Sequence, residues 1–262
     1  MTSERTNDRD NVGEGPRIQS GFEALKNHVL THKIEMALWG TRVLTIMFTM
    51  LYFLPFFGHA YSLYNKALLA NAATSALRLH QRHPRMTFSR EFLATIVLED
   101  SCHYIIYSVI FLYVTPFTLA LLPVFFFSLI HFASYSLTLL DTLGQNSWWG
   151  ARLLISLVEF QSRNILNLIA YTEIILMPFT IMLIFMGRAG LLTPFLYHQF
   201  LTMRYKSQRN PYTRNKFREI RVALESFANK QQTPSLIRRI ILSSIDLVST
   251  LCPPVITHSH QQ

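Results

Sequence analysis

Residues 101–140 read SCHYIIYSVIFLYVTPFTLALLPVFFFSLIHFASYSLTLL, 40 consecutive positions without Asp, Glu, Lys or Arg. One membrane-crossing helix needs ~20 apolar residues, so this run is long enough for two. A tight hairpin with Pro116 or Pro123 near the bend is the favoured reading. A single span followed by a kinked or re-entrant segment is its competitor. Either way, the run sets the class of the molecule.

The rest of the chain agrees. Of 262 residues, 50% are apolar, 15% are charged and 20 are Phe. A water-soluble domain carries about 25% charged residues. Two cysteines cannot staple a chain of this size, so a disulfide scaffold is excluded, as are collagen and wholesale disorder. Upstream, residues 43–65 hold 23 positions without a formal charge, entered at Arg42, with Trp39, Tyr52, Tyr61 and Tyr64 as interfacial anchors. Pro55 and Gly58 are expected to kink or end that helix. Downstream, residues 164–187 are broken only by Glu173, a further expected span. The stretch between, 141–163, reads as a more polar interruption with interfacial Trp148 and Trp149. Residues 189–203, interrupted by Pro194, read as a partial or interface-lying helix.

The expected fold is therefore all-α: a polytopic integral membrane protein with roughly three to five membrane-embedded helices and a C-terminal amphipathic helical tail. Residues 1–32 are polar, charge-mixed and expected to be disordered, with no cleavable signal segment. Residues 33–203 form the membrane domain, and 204–262 the tail.

Charge assigns sides. Residues 1–203 hold 14 Lys and Arg against 12 Asp and Glu; residues 204–262 hold 10 against 3, a net of +7 out of +9 overall. The connector 66–90, with Lys66, Arg78, Arg82, Arg85 and Arg90, is expected on the cytosolic side, with the tail beside it and an even number of crossings between them. A basic tail held near a bilayer points to anionic lipid. No nucleic-acid signature is present, and nucleic acid is not an expected partner.

Two tail segments have helical periodicity. In 214–229, Phe217, Ile220, Ala223, Leu224, Phe227 and Ala228 gather on one side. In 235–251, Leu236, Ile237, Ile240, Ile241, Ile245, Leu247, Val248 and Leu251 fall within an arc of roughly 180° at ~100° per residue, opposite Arg238, Arg239, Ser243 and Asp246. Pro234 and Ser235 start this helix and Pro253–Pro254 stop it. Two occupants suit the stripe: the rest of the protein, or the bilayer interface with arginines toward phosphates. The expected lipid-inserting set is those eight apolar residues. The expected anionic-lipid or partner contacts are Arg204, Lys206, Arg209, Arg214, Lys216, Arg218, Arg221, Arg238 and Arg239.

The chemically richest cluster is Glu99-Asp100-Ser101-Cys102-His103. It offers too few ligands for a metal, and the plainer reading pairs Glu99 or Asp100 with an arginine of 78–90. Glu173, inside an apolar block, needs a helix-borne partner such as Arg163 or Arg42, or else a proton. His103 and His131 read as hydrogen-bonded packing groups, and Cys102 and Cys252 as free thiols, Cys252 a candidate for palmitoylation. No phosphate loop, nucleophile elbow or kinase signature is present, so neither catalysis nor a cofactor or metal is expected. A channel or transporter using Glu173, a passive scaffold, and a lipid-modifying enzyme using the 99–103 cluster remain the alternatives.

Three stretches carry a family resemblance: KALLANAATSALRLHQR (66–82), LEDSCHYIIYSVIF (98–111) and FLTMRYKSQRNPYTR (200–214). They resemble the transmembrane protein 33 family, Krüppel homolog 2 type, over residues 33–253. The resemblance implies a membrane protein of the endoplasmic reticulum and nuclear envelope that shapes tubular membrane, with reticulon-type proteins as partners. It also implies stress signalling in some members, and nuclear pore association in fungal relatives through a C-terminal amphipathic helix. It further implies three spans, a luminal N-terminus and a cytosolic C-terminus, with no catalytic residues to carry over.

Overall fold

The computed structural model describes residues 21–54, 59–84, 89–145, 148–207, 210–230 and 233–251. Within them the chain forms helices α1 (Gly21–Thr31), α2 (Lys33–Phe53), α3 (Ala60–Arg82), α4 (Arg90–Val97), α5 (Asp100–Leu112), α6 (Thr118–Leu143), α7 (Trp149–Ile155), α8 (Ser162–Phe185), α9 (Leu192–Lys206), α10 (Tyr212–Ala228) and α11 (Ser235–Leu251). No strand occurs among the described residues. In a bilayer this is the required solution, because each helix satisfies its own backbone polar groups.

Among the described residues, three helices are long and apolar enough to cross a membrane: α2, α6 and the continuous run Trp149–Phe185. The pair α4–α5, bent by 78°, makes a fourth if it counts as one broken span. Thus the 101–140 run does fold back on itself, but unevenly. Its first leg, α5, has 13 residues, or ~20 Å, short of a hydrocarbon core of ~30 Å, whereas α6 has 26.

Several expectations change. Residues 21–31 are not disordered: α1 lies along the end of α6, where Gly21 approaches so closely that a Cβ would stand 2.7 Å from the Leu143 carbonyl oxygen. His28 Nε2 and the Tyr135 hydroxyl share a hydrogen bond of 3.2 Å. The 66–90 connector is helical in its first half, as its Ala- and Leu-rich composition predicts, but it is packed into the bundle. Its first part belongs to α3, which packs most extensively against α2 and α5 and buries Tyr64, Ala67, Leu68, Asn71 and Leu79. Residues 149–163 do not interrupt the membrane domain; α7 runs through a π-helical turn at Ser156–Gln161 into α8. Expected kink points Pro55 and Gly58 lie outside the described residues.

Helix ends follow local chemistry. The Ser89 hydroxyl accepts a hydrogen bond from the Phe92 amide to cap α4. Gly144 at φ 70° and Gly187 at φ 67° close α6 and α8. In each, the next residue's N–H reaches back to a carbonyl (Gln145 to Leu140, 3.0 Å; Arg188 to Leu183, 2.8 Å), a closure that a Cβ would strain. Pro123 and Pro178 sit inside α6 and α8.

Helices α2, α3, α5, α6, α8 and α9 pack as successive antiparallel passes around a core of Tyr64, Leu68, Tyr107, Phe111, Leu121, Leu176, Tyr197 and Phe200. Polar bonds stitch the passes. Trp39 Nε1 donates to Ser136 (2.9 Å), Thr74 to Thr41 (2.9 Å), Asn71 to Ser108 (2.8 Å) and Tyr107 to the Ala120 carbonyl (2.7 Å). At the opposite end Arg188 donates to Thr115 and the Pro116 carbonyl. The passes return the start of α2 and the start of α10 to one end of the bundle. Four passes (α5, α6, α8, α9) separate Arg82 from α10, so that both lie at this same end.

A candidate membrane-surface tail anchored by a buried ion-pair centre

The tail begins where α9 ends, and its first cation is not on the surface. Arg204, expected to meet lipid, is wholly buried. Its Nε donates to Glu173 Oε2 at 3.1 Å and its Nη1 to Asp100 Oδ1 at 3.1 Å. The guanidinium stands 5.3 Å from the centre of the Tyr104 ring. Tyr104 donates to the other Glu173 oxygen at 2.8 Å, Tyr197 to the Glu173 carbonyl at 2.7 Å, and Ser207 to Asp100 at 2.9 Å. Thr213, at the start of α10, reaches Glu173 Oε2 at 3.4 Å. One acid on α8 thus gathers α5, α9 and α10.

Glu173 therefore pairs with neither Arg163 nor Arg42. The need for a partner was visible in the sequence, because an unpaired charge among apolar residues is costly. The identity of the partner was not, since Arg204 lies 31 positions away on another helix.

The 99–103 cluster resolves in the same way. Glu99 is ion-paired with Arg82, as the plainer reading held, with His83 Nε2 3.8 Å away. Asp100 serves Arg204. His103 is buried, its Nε2 bonded to the Val97 carbonyl at 2.7 Å. Among the described residues no group of three or more His, Cys, Asp or Glu could hold a metal ion. Cys102 is a half-buried free thiol, and Cys252 lies outside the described residues.

From this anchor α10 runs across α8 and α9, burying Thr213 and Ala228. Phe217 meets Tyr205 edge-on at 5.8 Å. The apolar side of 214–229 is therefore split: Phe217 and Ala228 face protein, while Leu224 and Phe227 are exposed. Two of the expected lipid-facing cations have acidic neighbours on the same helix. Lys216 bonds Glu219, and Arg221 bonds Glu225 at 2.7 Å, a hydrogen bond that holds the exposed Arg221 guanidinium above its ordinary pKa. Lys206 and Arg218 are exposed and Arg214 half-buried; Arg209 lies outside the described residues.

Helix α11 packs chiefly on α10, across a turn in which Thr233 Oγ1 donates to the Phe227 carbonyl at 2.8 Å. None of its described side chains is buried. Leu236 is 71% exposed, Ile240 58% and Ile237 42%, with Ile241 and Ile245 half-buried. Arg238 and Arg239 are exposed beside them. The side chains of Leu247, Val248 and Leu251 lie outside the described residues. Chemically, this is a cantilevered helix offering a greasy stripe and two guanidiniums.

Comparison with known proteins agrees with the three-stretch resemblance. The family model described as Transmembrane protein 33/Nucleoporin POM33 matches residues 17–254. The chain is 49% identical to Krueppel homolog 2 of Drosophila melanogaster over 252 residues, covering 96% of this chain and 91% of that protein. It is 46% identical to Transmembrane protein 33 of Homo sapiens over 248 residues (94% and 99%), and 37% identical to the Caenorhabditis elegans homolog over 240 residues (89% and 87%). No solved structure matches. With its helical bundle, its candidate spans and a match across nearly its whole length, the chain belongs to the transmembrane protein 33/nucleoporin POM33 family of transmembrane proteins.

Proposed function

We propose that this protein organises curved membrane of the endoplasmic reticulum and nuclear envelope, with α11 as the element that enters the cytosolic leaflet. The observation that carries the reading is the stripe Leu236, Ile237 and Ile240, left exposed on a helix whose platform, α10, reaches the buried Glu173–Arg204 pair through Thr213. A helix of this kind lies in the interface plane with its apolar face ~5–10 Å deep. Arg238 and Arg239 then meet phosphates, each adding ~1 kcal/mol of attraction that weakens with salt. Inserted on one leaflet only, the helix spreads headgroups and favours convex curvature. Reticulon-type membrane-shaping proteins and nuclear pore components are the expected partners of such a device. The name of the matching family, which includes a nucleoporin, supports the second. The reading assigns no catalytic step and no cofactor.

The test uses the full chain in nanodiscs, with an environment-sensitive fluorophore on a single cysteine at position 240 and Cys102 and Cys252 replaced by Ser. Insertion predicts a blue-shifted spectrum quenched by lipids brominated near the headgroup. A water-like, unquenched spectrum refutes the reading; protection that persists in detergent without lipid assigns the stripe to a protein surface instead.

A further inference from the structure

Beside the tail's anchor, the bundle holds a half-open cavity of about 290 Å³ lined by α2, α3, α5, α6 and α8 and by Asn210 and Tyr212 at the start of the tail. Its lining is rich in cations and hydroxyls, with Arg42, Arg78 and Arg82 joined by Ser75, Ser101 and Ser128. Asp100, the one acid on the wall, is engaged by Arg204 and Ser207. Arg82 is engaged by Glu99.

Arg42 is different. It sits inside the candidate span α2 and is 5% exposed. It forms no ion pair among the described residues, and its hydrogen bond to the His131 carbonyl is long, at 3.5 Å. Arg78 lies close enough to repel it. A buried guanidinium is tolerated when an anion and hydrogen-bond acceptors replace its water. Here the protein supplies one distant carbonyl and a second cation. The contrast with Arg204, which has two carboxylates, is direct.

We propose that this cavity binds a phosphate oxyanion, carried either by a phospholipid headgroup or by a soluble phosphate compound, with Arg42 as its principal contact. The planar guanidinium matches two phosphate oxygens at once, and hydroxyls on three helices stand around the remainder. The volume lies at the small end of the ~300–1,000 Å³ range of ligand pockets, so it takes a headgroup and leaves acyl chains outside. A bound anion would hold α2, α3 and α6 together as Glu173 holds α5, α9 and α10.

The experiment follows thermal unfolding of the full chain in dodecylmaltoside during titration with dioctanoyl phosphatidic acid, dioctanoyl phosphatidylglycerol or inorganic phosphate. A saturable upward shift with at least one probe is expected. Arg42→Gln should weaken the apparent affinity about tenfold or more, the scale of a lost charge-assisted contact. Ser128→Phe, which fills the cavity without changing charge, should do the same and decides the matter should Arg42→Gln fail to fold. Arg152→Gln, at an exposed cation remote from the cavity, should leave the titration unchanged. Response to the lipids alone assigns the anion to a headgroup, and an equal response to inorganic phosphate assigns it to a soluble compound. No saturable shift with any of the three, or wild-type affinity in Ser128→Phe, overturns the proposal.

Discussion

Replacing Arg204 by Met tests whether the tail is anchored by the buried ion-pair centre. Both Arg204 and Glu173 have fully buried side chains, so solvent does not screen the loss. Removing the guanidinium takes from Glu173 its 3.1 Å partner and from Asp100 another. Tyr104 and Thr213 remain as donors to a carboxylate with no counter-charge. Breaking a buried pair by deleting one member costs about 3–5 kcal/mol. At the lower bound that is over a hundredfold in the folding equilibrium, since ~1.4 kcal/mol is a factor of ten. Adding Glu173→Leu removes the stranded charge and should recover a large part of the loss, because a well-packed apolar pair is often neutral relative to the ion pair it replaces. The assay is the double-mutant cycle, read by unfolding the full chain in dodecylmaltoside with increasing dodecyl sulfate. A coupling of ~2 kcal/mol or more is expected for groups in contact. The structure adds a local readout: Thr213 shares Glu173 with Arg204, so the double variant, which deletes both contacts, should expose Arg214 and Arg218 on α10 to trypsin faster than the wild type. A cost below about 1 kcal/mol for Arg204→Met, the level of an exposed pair, or additive single effects, would refute the reasoning.

Two further outcomes follow from particular contacts. Trp39→Phe deletes the 2.9 Å hydrogen bond to Ser136 that joins α2 to α6 while keeping the ring near Phe132, and should lower stability by ~1 kcal/mol in the same dodecyl sulfate titration. Arg238→Gln with Arg239→Gln should reduce cross-linking of α11 to anionic headgroups in nanodiscs, with a weaker dependence on salt than the wild type, because counter-charge attraction is the component removed; identical salt curves would disprove a lipid contact at these residues.

The division between what pattern reveals and what packing decides is visible residue by residue. Forty uncharged positions at 101–140, the Glu173-interrupted block and the isoleucine stripe of α11 are properties of order along the chain, and they suffice for an all-α membrane protein with an amphipathic tail. The Glu99–Arg82 pair was also legible, because a charged cluster at the head of a helix beside a basic segment leaves few alternatives. Other features were not. Helix α3 looks like a polar connector because its buried face includes Asn71, Thr74 and Ser75, residues that hydropathy counts as surface but that hydrogen-bond across helices. Arg204 reads as one more cation of a basic tail. Only the return of α9 to the head of α5, beside Glu173, converts it from a surface charge into a buried one held by two carboxylates.

Periodicity fixes which residues share a face and how far a segment reaches, since both follow from 1.5 Å and ~100° per residue. What that face meets is a property of three-dimensional closure. The stripe of α10 is divided between protein and solvent, that of α11 is exposed at Leu236, Ile237 and Ile240 and half-buried at Ile241 and Ile245, and Arg42 stands beside a cavity whose one acid, Asp100, is engaged by Arg204 and Ser207. A sequence determines helices because their bonds are local; it leaves partners open because charges separated by 31 or 104 positions meet only when the bundle is formed.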